Sequence, residues 1–312
     1  MEGPVHDARA LRDMRLAMRM SLAIGVLMLL GKTFAYFLTG SAAILSDAAE
    51  SVIHVIAVGF AAYSLWLSLR PADQRFHYGY ERISFFSAGF EGAMIILAAV
   101  VIIAAAIRKW LGGLQMERLS LGTLLVLAAA LVNGLLGWYL LRTGRRNRSL
   151  ILEANGRHVL TDSWTSFGVV AGLGMVLLTG WNVLDPLIAI AVALNILWSG
   201  GKLMRRSVQG LMDYSDPETG RRLREHLDAL CTEMGVQYHG VRFRTTGFRL
   251  LVEVHLLFGR EVPVGEAHRM ATELEERLPQ RLDVPAQVTT HLEALEDHGL
   301  VHADPDHATR LP

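Results

Sequence analysis

Two pairs of side chains in this 312-residue chain combine metal-binding chemistry with a repeated spacing: Glu50 with His54, and His158 with Asp162. Members four residues apart stack on one face of a helix. A carboxylate and a neutral imidazole from each of two helices supply two oxygens and two nitrogens. That set suits tetrahedral Zn2+ without any cysteine. Cys231 is the chain's single cysteine, which excludes an intrachain disulfide and a cysteine-based cluster. The plain alternative is two unrelated hydrogen-bonded pairs that hold helices together. Equal spacing in two different apolar segments favours a shared ion. Asp47, three residues before Glu50, lies on nearly the same face and is a candidate ligand or proton relay. Lys32 and Glu91 are read as pairing within the bundle or holding water.

The elements that must position these groups are membrane spans. About 20 apolar residues cross a bilayer as a helix. Six segments meet that length, at roughly 16–38, 42–69, 84–107, 119–141, 159–179 and 183–204. The fifth helix is expected to begin earlier, near Ser149. Ionisable side chains in such spans are costly and usually functional. The short loops on one side collect 14 Lys and Arg and those on the other collect 3, which predicts both termini on the cytoplasmic side.

The composition fits. Hydrophobic residues make up 52% and charged residues 19%, which excludes a disordered or nucleic-acid-dominated protein. The net charge of zero hides a division. Residues 1–206 carry 19 basic and 12 acidic groups, while residues 207–312 carry 11 and 18. Of the 12 histidines, 8 lie in the second part. Arg outnumbers Lys 27 to 3, a composition of GC-rich bacterial genomes. A multi-pass protein of a bacterial inner membrane is therefore expected, with a six-span domain over 1–206.

From Asp213 the periodicity changes. Asp216 and Pro217 open a helix running to about Met234. Tyr238–Thr245 and Phe248–Phe258 alternate as strands across Thr246-Gly247. Pro263–Gln280 has helical spacing and Ala286–Leu292 reads as a third strand. The order αββαβ predicts a small α+β domain over 207–295, with its helices on one sheet face. Residues 296–312 read as a disordered tail rich in His and Asp.

The chain resembles the cation diffusion facilitator family of divalent metal transporters. The motifs are Gly40-Ser41, Leu45-Ser46-Asp47-Ala48-Ala49-Glu50-Ser51, Pro71-Ala72-Asp73, Tyr78-Gly79-Tyr80-Glu81-Arg82, and His158 four before Asp162. The resemblance implies a six-helix transmembrane bundle followed by a metallochaperone-like cytoplasmic domain. It also implies a mid-membrane site at Glu50, His54, His158 and Asp162, and a homodimer. Glu50 replaces the family's Asp or His, and His54 its Asp. Glu is a methylene longer than Asp, so Mn2+, Fe2+, Co2+ and Cd2+ stay open beside Zn2+.

Three further sets follow from the resemblance. In the loop after the second span, Asp73 matches a ligand, but Phe76 and Tyr80 stand where histidines would. A weak or lost site remains there, with His77 displaced by one residue. Ligands of a cytoplasmic, regulatory ion match His239, His255, His268, His291 and Glu293. His291 and Glu293, two apart on a strand, share a face. Arg82 and Asp213 match a charge interlock at the dimer centre.

The expected activity is metal efflux driven by inward proton flow, with protons as the counter-ion and the bilayer as the solvent. Ligation needs neutral imidazole and ionised carboxylate, so protonation releases the metal. A membrane-anchored metal sensor or assembly scaffold is the alternative. An intramembrane metalloenzyme is not expected: a His-Glu-x-x-His helix is absent and four ligands would close the site.

Overall fold

The computed structural model describes residues 8–39, 42–112, 121–181 and 183–296. Within them, the side chains of Lys32, Asp47 and Glu50 lie outside the description, as does the expected tail from residue 297 onward. The described chain forms two compact units that divide between Leu211 and Met212.

Six long helices make the first unit: α1 (Ala8–Thr39), α2 (Ala42–Ser68), α3 (Ile83–Gly112), α4 (Leu121–Arg146), α5 (Leu150–Thr179) and α6 (Leu184–Leu211). Among the described residues, three stretches are long and apolar enough to cross a membrane: Ala8–Gly31, Ile83–Gly112 and Pro186–Leu211. In hydrocarbon the backbone must satisfy its own hydrogen bonds, and a continuous helix does so. The helices run past the apolar segments read from the sequence, which ended near residue 204 in the sixth. α6 continues through Arg205 and Arg206 to Leu211, because charged residues end a hydrophobic stretch without ending a helix.

Lipid offers helices no hydrophobic reason to associate, so close packing at small residues must hold them. Two helix pairs use glycine this way. A Cβ on Gly156 of α5 would sit 2.7 Å from the Leu141 amide nitrogen of α4, and one on Gly137 would sit 2.9 Å from Leu160 N. In the second pair, a Cβ on Gly92 of α3 would lie 3.1 Å from Met204 N of α6. Buried polar contacts pin the same helices. Asn155 Nδ2 donates to Ser21 Oγ of α1 at 2.9 Å, and Ser163 Oγ donates to Ala130 O of α4 at 2.7 Å. Ser207 Oγ of α6 donates to Phe85 O of α3 at 2.6 Å. Arg206 meets Glu153 at 2.8 Å, which fixes the end of α6 beside the start of α5. Arg82 Nη2 donates to Leu211 O at 2.6 Å and so closes an orphan carbonyl at the α6 C-terminus.

The second unit runs α7 (Pro217–Met234), β1 (Gln237–Thr245), β2 (Leu250–Phe258), α8 (Val264–Arg281), β3 (Ala286–Ala294). Asp216 caps α7 by accepting from Thr219 N at 2.8 Å, and Gly235 ends it in the left-handed region at φ 67. The sheet order is β1-β2-β3, with β1 antiparallel and β3 parallel to β2. Leu223, Leu227 and Leu230 of α7, Leu274 and Leu278 of α8, and Val252, Val254 and Leu256 of β2 form one core. Alternation along β2 therefore leaves His255 on the opposite sheet face.

Two measurements check this packing. Gly156→Ala is expected to cost about 1–3 kcal/mol through overpacking. It should lower the thermal midpoint in detergent, whereas Gly201→Ala, whose Cβ would meet nothing within 4 Å, should leave it unchanged. The Cys231 thiol is 4% exposed and is pushed up to about 11 by burial. It should alkylate slowly at neutral pH in the native protein and readily once unfolded, as read by intact mass.

Candidate metal centre

His54 lies mid-way along α2, and His158 and Asp162 occupy successive turns of α5. The packing of α1, α2 and α5 brings them together. Gly25 of α1 lies against the His54 ring, where its Cβ would be 3.5 Å from Cδ2. His158 Nε2 is 3.1 Å from His54 Nδ1, and His54 Nδ1 is 3.3 Å from Asp162 Oδ2. The two rings stack with centroids 5.1 Å apart. One ligand atom from each of His54, His158 and Asp162 lies within 4.8 Å of the others, a separation that one cation can span. Glu50 belongs to α2 one turn before His54.

Sequence reasoning placed Glu91 in the bundle without a specific partner. The structure puts its Oε2 3.2 Å from His158 Nδ1, the ring nitrogen turned away from His54 and Asp162. Glu91 is fully buried and neither of its oxygens makes a hydrogen bond. A buried carboxylate is expensive unless it faces a partner, and here the His158 ring is that partner. A proton on His158 Nδ1, facing Glu91, leaves the Nε2 lone pair toward the ligand cluster. Carboxylates commonly orient metal-binding imidazoles in this way. No local spacing signals this pairing, because Glu91 comes from a third helix.

The second unit holds another cluster, and strand register builds it. His239 faces His255 across the antiparallel pair, and His255 faces His291 across the parallel pair. A bulge between His239 and Arg242, with Gly240 at φ 62, follows the first of these pairings. Glu293 joins the row. Its Oε2 is 2.8 Å from His239 Nε2 and its Oε1 is 2.7 Å from His255 Nδ1. His291 Nε2 stands 3.8 Å from Oε1. Burial, opposed by the Glu293 charge, holds His255 below the ordinary histidine range and so favours the neutral, ligating form. His268 is exposed on α8 and stands apart from this cluster.

The remaining sequence candidates have other local contacts. Asp73 accepts from the Arg75 and Phe76 amides and from Tyr80 Oη at 2.6 Å, which holds its carboxyl below the usual range. His77 Nε2 lies 3.1 Å from Gln74 O. Among the described residues these two form no ligand group. Asp213 pairs with Arg244 at 3.2 Å inside the second unit, and Arg82 serves α6 inside the first.

Residues 18–212 match the family described as the cation efflux transmembrane domain, and residues 216–295 match the cation efflux protein cytoplasmic domain. The chain belongs to the cation efflux family. An uncharacterized transporter of Synechocystis sp. is 36% identical over 266 residues, covering 85% of this chain and 86% of that protein. A probable cation efflux system protein of Mycobacterium tuberculosis is 29% identical over 281 residues, 88% and 79% of the two chains. The cation-efflux pump FieF of Escherichia coli is 26% identical over 260 residues, 83% and 86%. A solved structure of CzrB is 32% identical and covers 27% of this chain and 92% of its own, at a TM-score of 0.25. This cation efflux protein is thus an integral membrane transporter with a small cytoplasmic α+β domain.

Replacing Glu91 by Ala should weaken metal binding about 10- to 100-fold, as expected for an imidazole that loses its orienting partner. Glu91→Gln keeps an oxygen facing His158 and should recover part of the loss. Titration of the purified protein with Zn2+ and with Co2+ as a spectroscopic probe measures both; equal affinities for all three proteins would refute the pairing.

Proposed function

We propose that this cation efflux protein exports Zn2+ in exchange for protons, by alternating access around a site at Glu50, His54, His158 and Asp162. The convergence of His54, His158 and Asp162 ligand atoms within 4.8 Å of one another supports this reading. Their chemistry supports the coupling. Imidazole titrates near neutrality, and a metal competes with protons for the same lone pairs. In the inward-facing state, neutral His54 and His158 with ionised carboxylates take the ion from the cytoplasm. In the outward-facing state, protonation of the same groups releases it. The protonated site then returns, and protons leave to the cytoplasm. Helices rocking around a fixed midplane site are the general solution for such transporters. Zn2+ leads among the cations because two nitrogens and two oxygens in a compact set suit a tetrahedral ion.

The cluster of His239, His255, His291 and Glu293 is read as a cytoplasmic cation site that biases a homodimer toward a transport-competent arrangement. A ligand shifts such an equilibrium only through differential affinity for its states.

Reconstituted protein should take up Zn2+ faster when a pH gradient drives protons outward from the vesicle, and Zn2+ should release protons when added without one. Asp162→Ala and His158→Ala should each reduce uptake at least about tenfold. Metal uptake without proton movement would overturn the antiport reading. His239→Ala with His255→Ala should leave uptake at saturating Zn2+ and flatten its dependence on Zn2+ concentration. An unchanged concentration dependence would remove the regulatory assignment.

A further inference from the structure

On the flank of the first unit, α4, α5 and α6 enclose a crevice of about 270 Å3. Its wall contains Arg145, Arg157 and Lys202, and also Leu160, Trp164 and Trp198. These are not scattered. α4 and α5 run antiparallel, with Gly144 against Glu153 and Gly137 against Leu160, and Arg206 of α6 meets Glu153. The C-terminal ends of α4 and α6 and the N-terminal end of α5 therefore share one end of the bundle. On each helix the cation lies nearer that end than the apolar or aromatic lining. Arg145 follows Leu141, Arg157 precedes Leu160 and Trp164, and Lys202 follows Trp198. The crevice thus gathers its cations toward one end, with Leu160, Trp164 and Trp198, and the polar Thr161 and Asn195, further along the membrane normal.

Among the described residues no carboxylate lies in salt-bridge contact with Arg145, Arg157 or Lys202; Glu153 is taken by Arg206 at 2.8 Å. The Arg157 Nε is buried and makes no hydrogen bond. Buried donors are almost always satisfied, so this one calls for an acceptor. Lys202 Nζ stands 4.9 Å over the Trp198 ring, a cation–π contact within the crevice lining. Trp164 and Trp198 are 57% and 66% exposed, so their rings present open apolar surface beside the cations.

We propose that this crevice binds an anionic phospholipid, with the headgroup phosphate on Arg145, Arg157 and Lys202 and an acyl chain along Leu160, Trp164 and Trp198. Basic pockets between membrane helices recognise phosphate-bearing headgroups in this way. The assignment rests on the membrane placement of the bundle and not on which ion is exported. A lipid seated there would bridge α4, α5 and α6 and would complete the polar partner set of Arg157.

The full-length protein in non-ionic detergent is titrated with phosphatidylglycerol and with phosphatidylcholine of the same chains, and bound lipid is counted by native mass spectrometry. Wild type should prefer phosphatidylglycerol about tenfold, and Arg157→Gln with Lys202→Gln should abolish the preference. Equal binding of the two lipids, or a preference that survives the double substitution, overturns the proposal. Millimolar inorganic phosphate is a further arm: displacement of phosphatidylglycerol by it would assign the crevice to a free phosphate and overturn the lipid. Should the double variant not fold, wild type alone decides. Brominated phosphatidylglycerol should quench tryptophan fluorescence more than brominated phosphatidylcholine, and equal quenching overturns the proposal.

Discussion

The stacked imidazoles of His54 and His158, joined by Asp162 and backed by Glu91, impose the main constraint on this bundle. Ionisable groups in apolar surroundings persist only where they face one another or a bound ion. Here the groups come from three helices, so α2, α3 and α5 must each hold a set rotation and height. The glycine contacts of α4 with α5, and of α3 with α6, supply that rigidity. They do so with backbone approach, because lipid gives helices no hydrophobic reason to associate. The remaining polar contacts, from Asn155, Ser163 and Ser207, attach the same helices to their neighbours.

The two units solve one chemical problem with different periodicities. In the membrane, two ligands share a helix face at a spacing of four, and packing between helices adds the rest. In the cytoplasmic domain, strand register aligns His239, His255 and His291 in one row, and a spacing of two adds Glu293. In both, a carboxylate sits against two imidazoles: Asp162 near His54 and His158, and Glu293 near His239 and His255. Neutral imidazole with charged carboxylate is the state fit to take up a divalent cation. The exchange cycle proposed above requires protons and metal to compete for these atoms.

Much of this was legible from residue order because the deciding patterns are local. Span lengths, the i,i+4 pairs, the Asp216-Pro217 helix start and the alternation in β2 all act within a turn or a strand. His291 and Glu293 could be placed on one face from their spacing alone. Glu91 could not be assigned a partner, since no local pattern relates position 91 to position 158. The same holds for Asp73. Its match to a family ligand position suggests a cation site, but the Tyr80 hydroxyl and two turn amides occupy its carboxylate. His268 looked equivalent to the other cytoplasmic histidines in a list of candidates, yet α8 carries it away from the sheet row.

Residue order alone was enough to establish what kinds of helices and strands form, which end of the bundle is basic, and which side chains are fit to bind a cation. Hydropathy, helix periodicity and strand alternation are short-range properties, and they are readable without coordinates. Only the packed molecule decided who meets whom: that His158 turns one nitrogen to His54 and Asp162 and the other to Glu91, and that Arg145, Arg157 and Lys202 gather at one end of a crevice. Those meetings depend on helix rotation and on close approaches at Gly137, Gly144 and Gly156, and long-range geometry of that kind is set by the whole bundle at once.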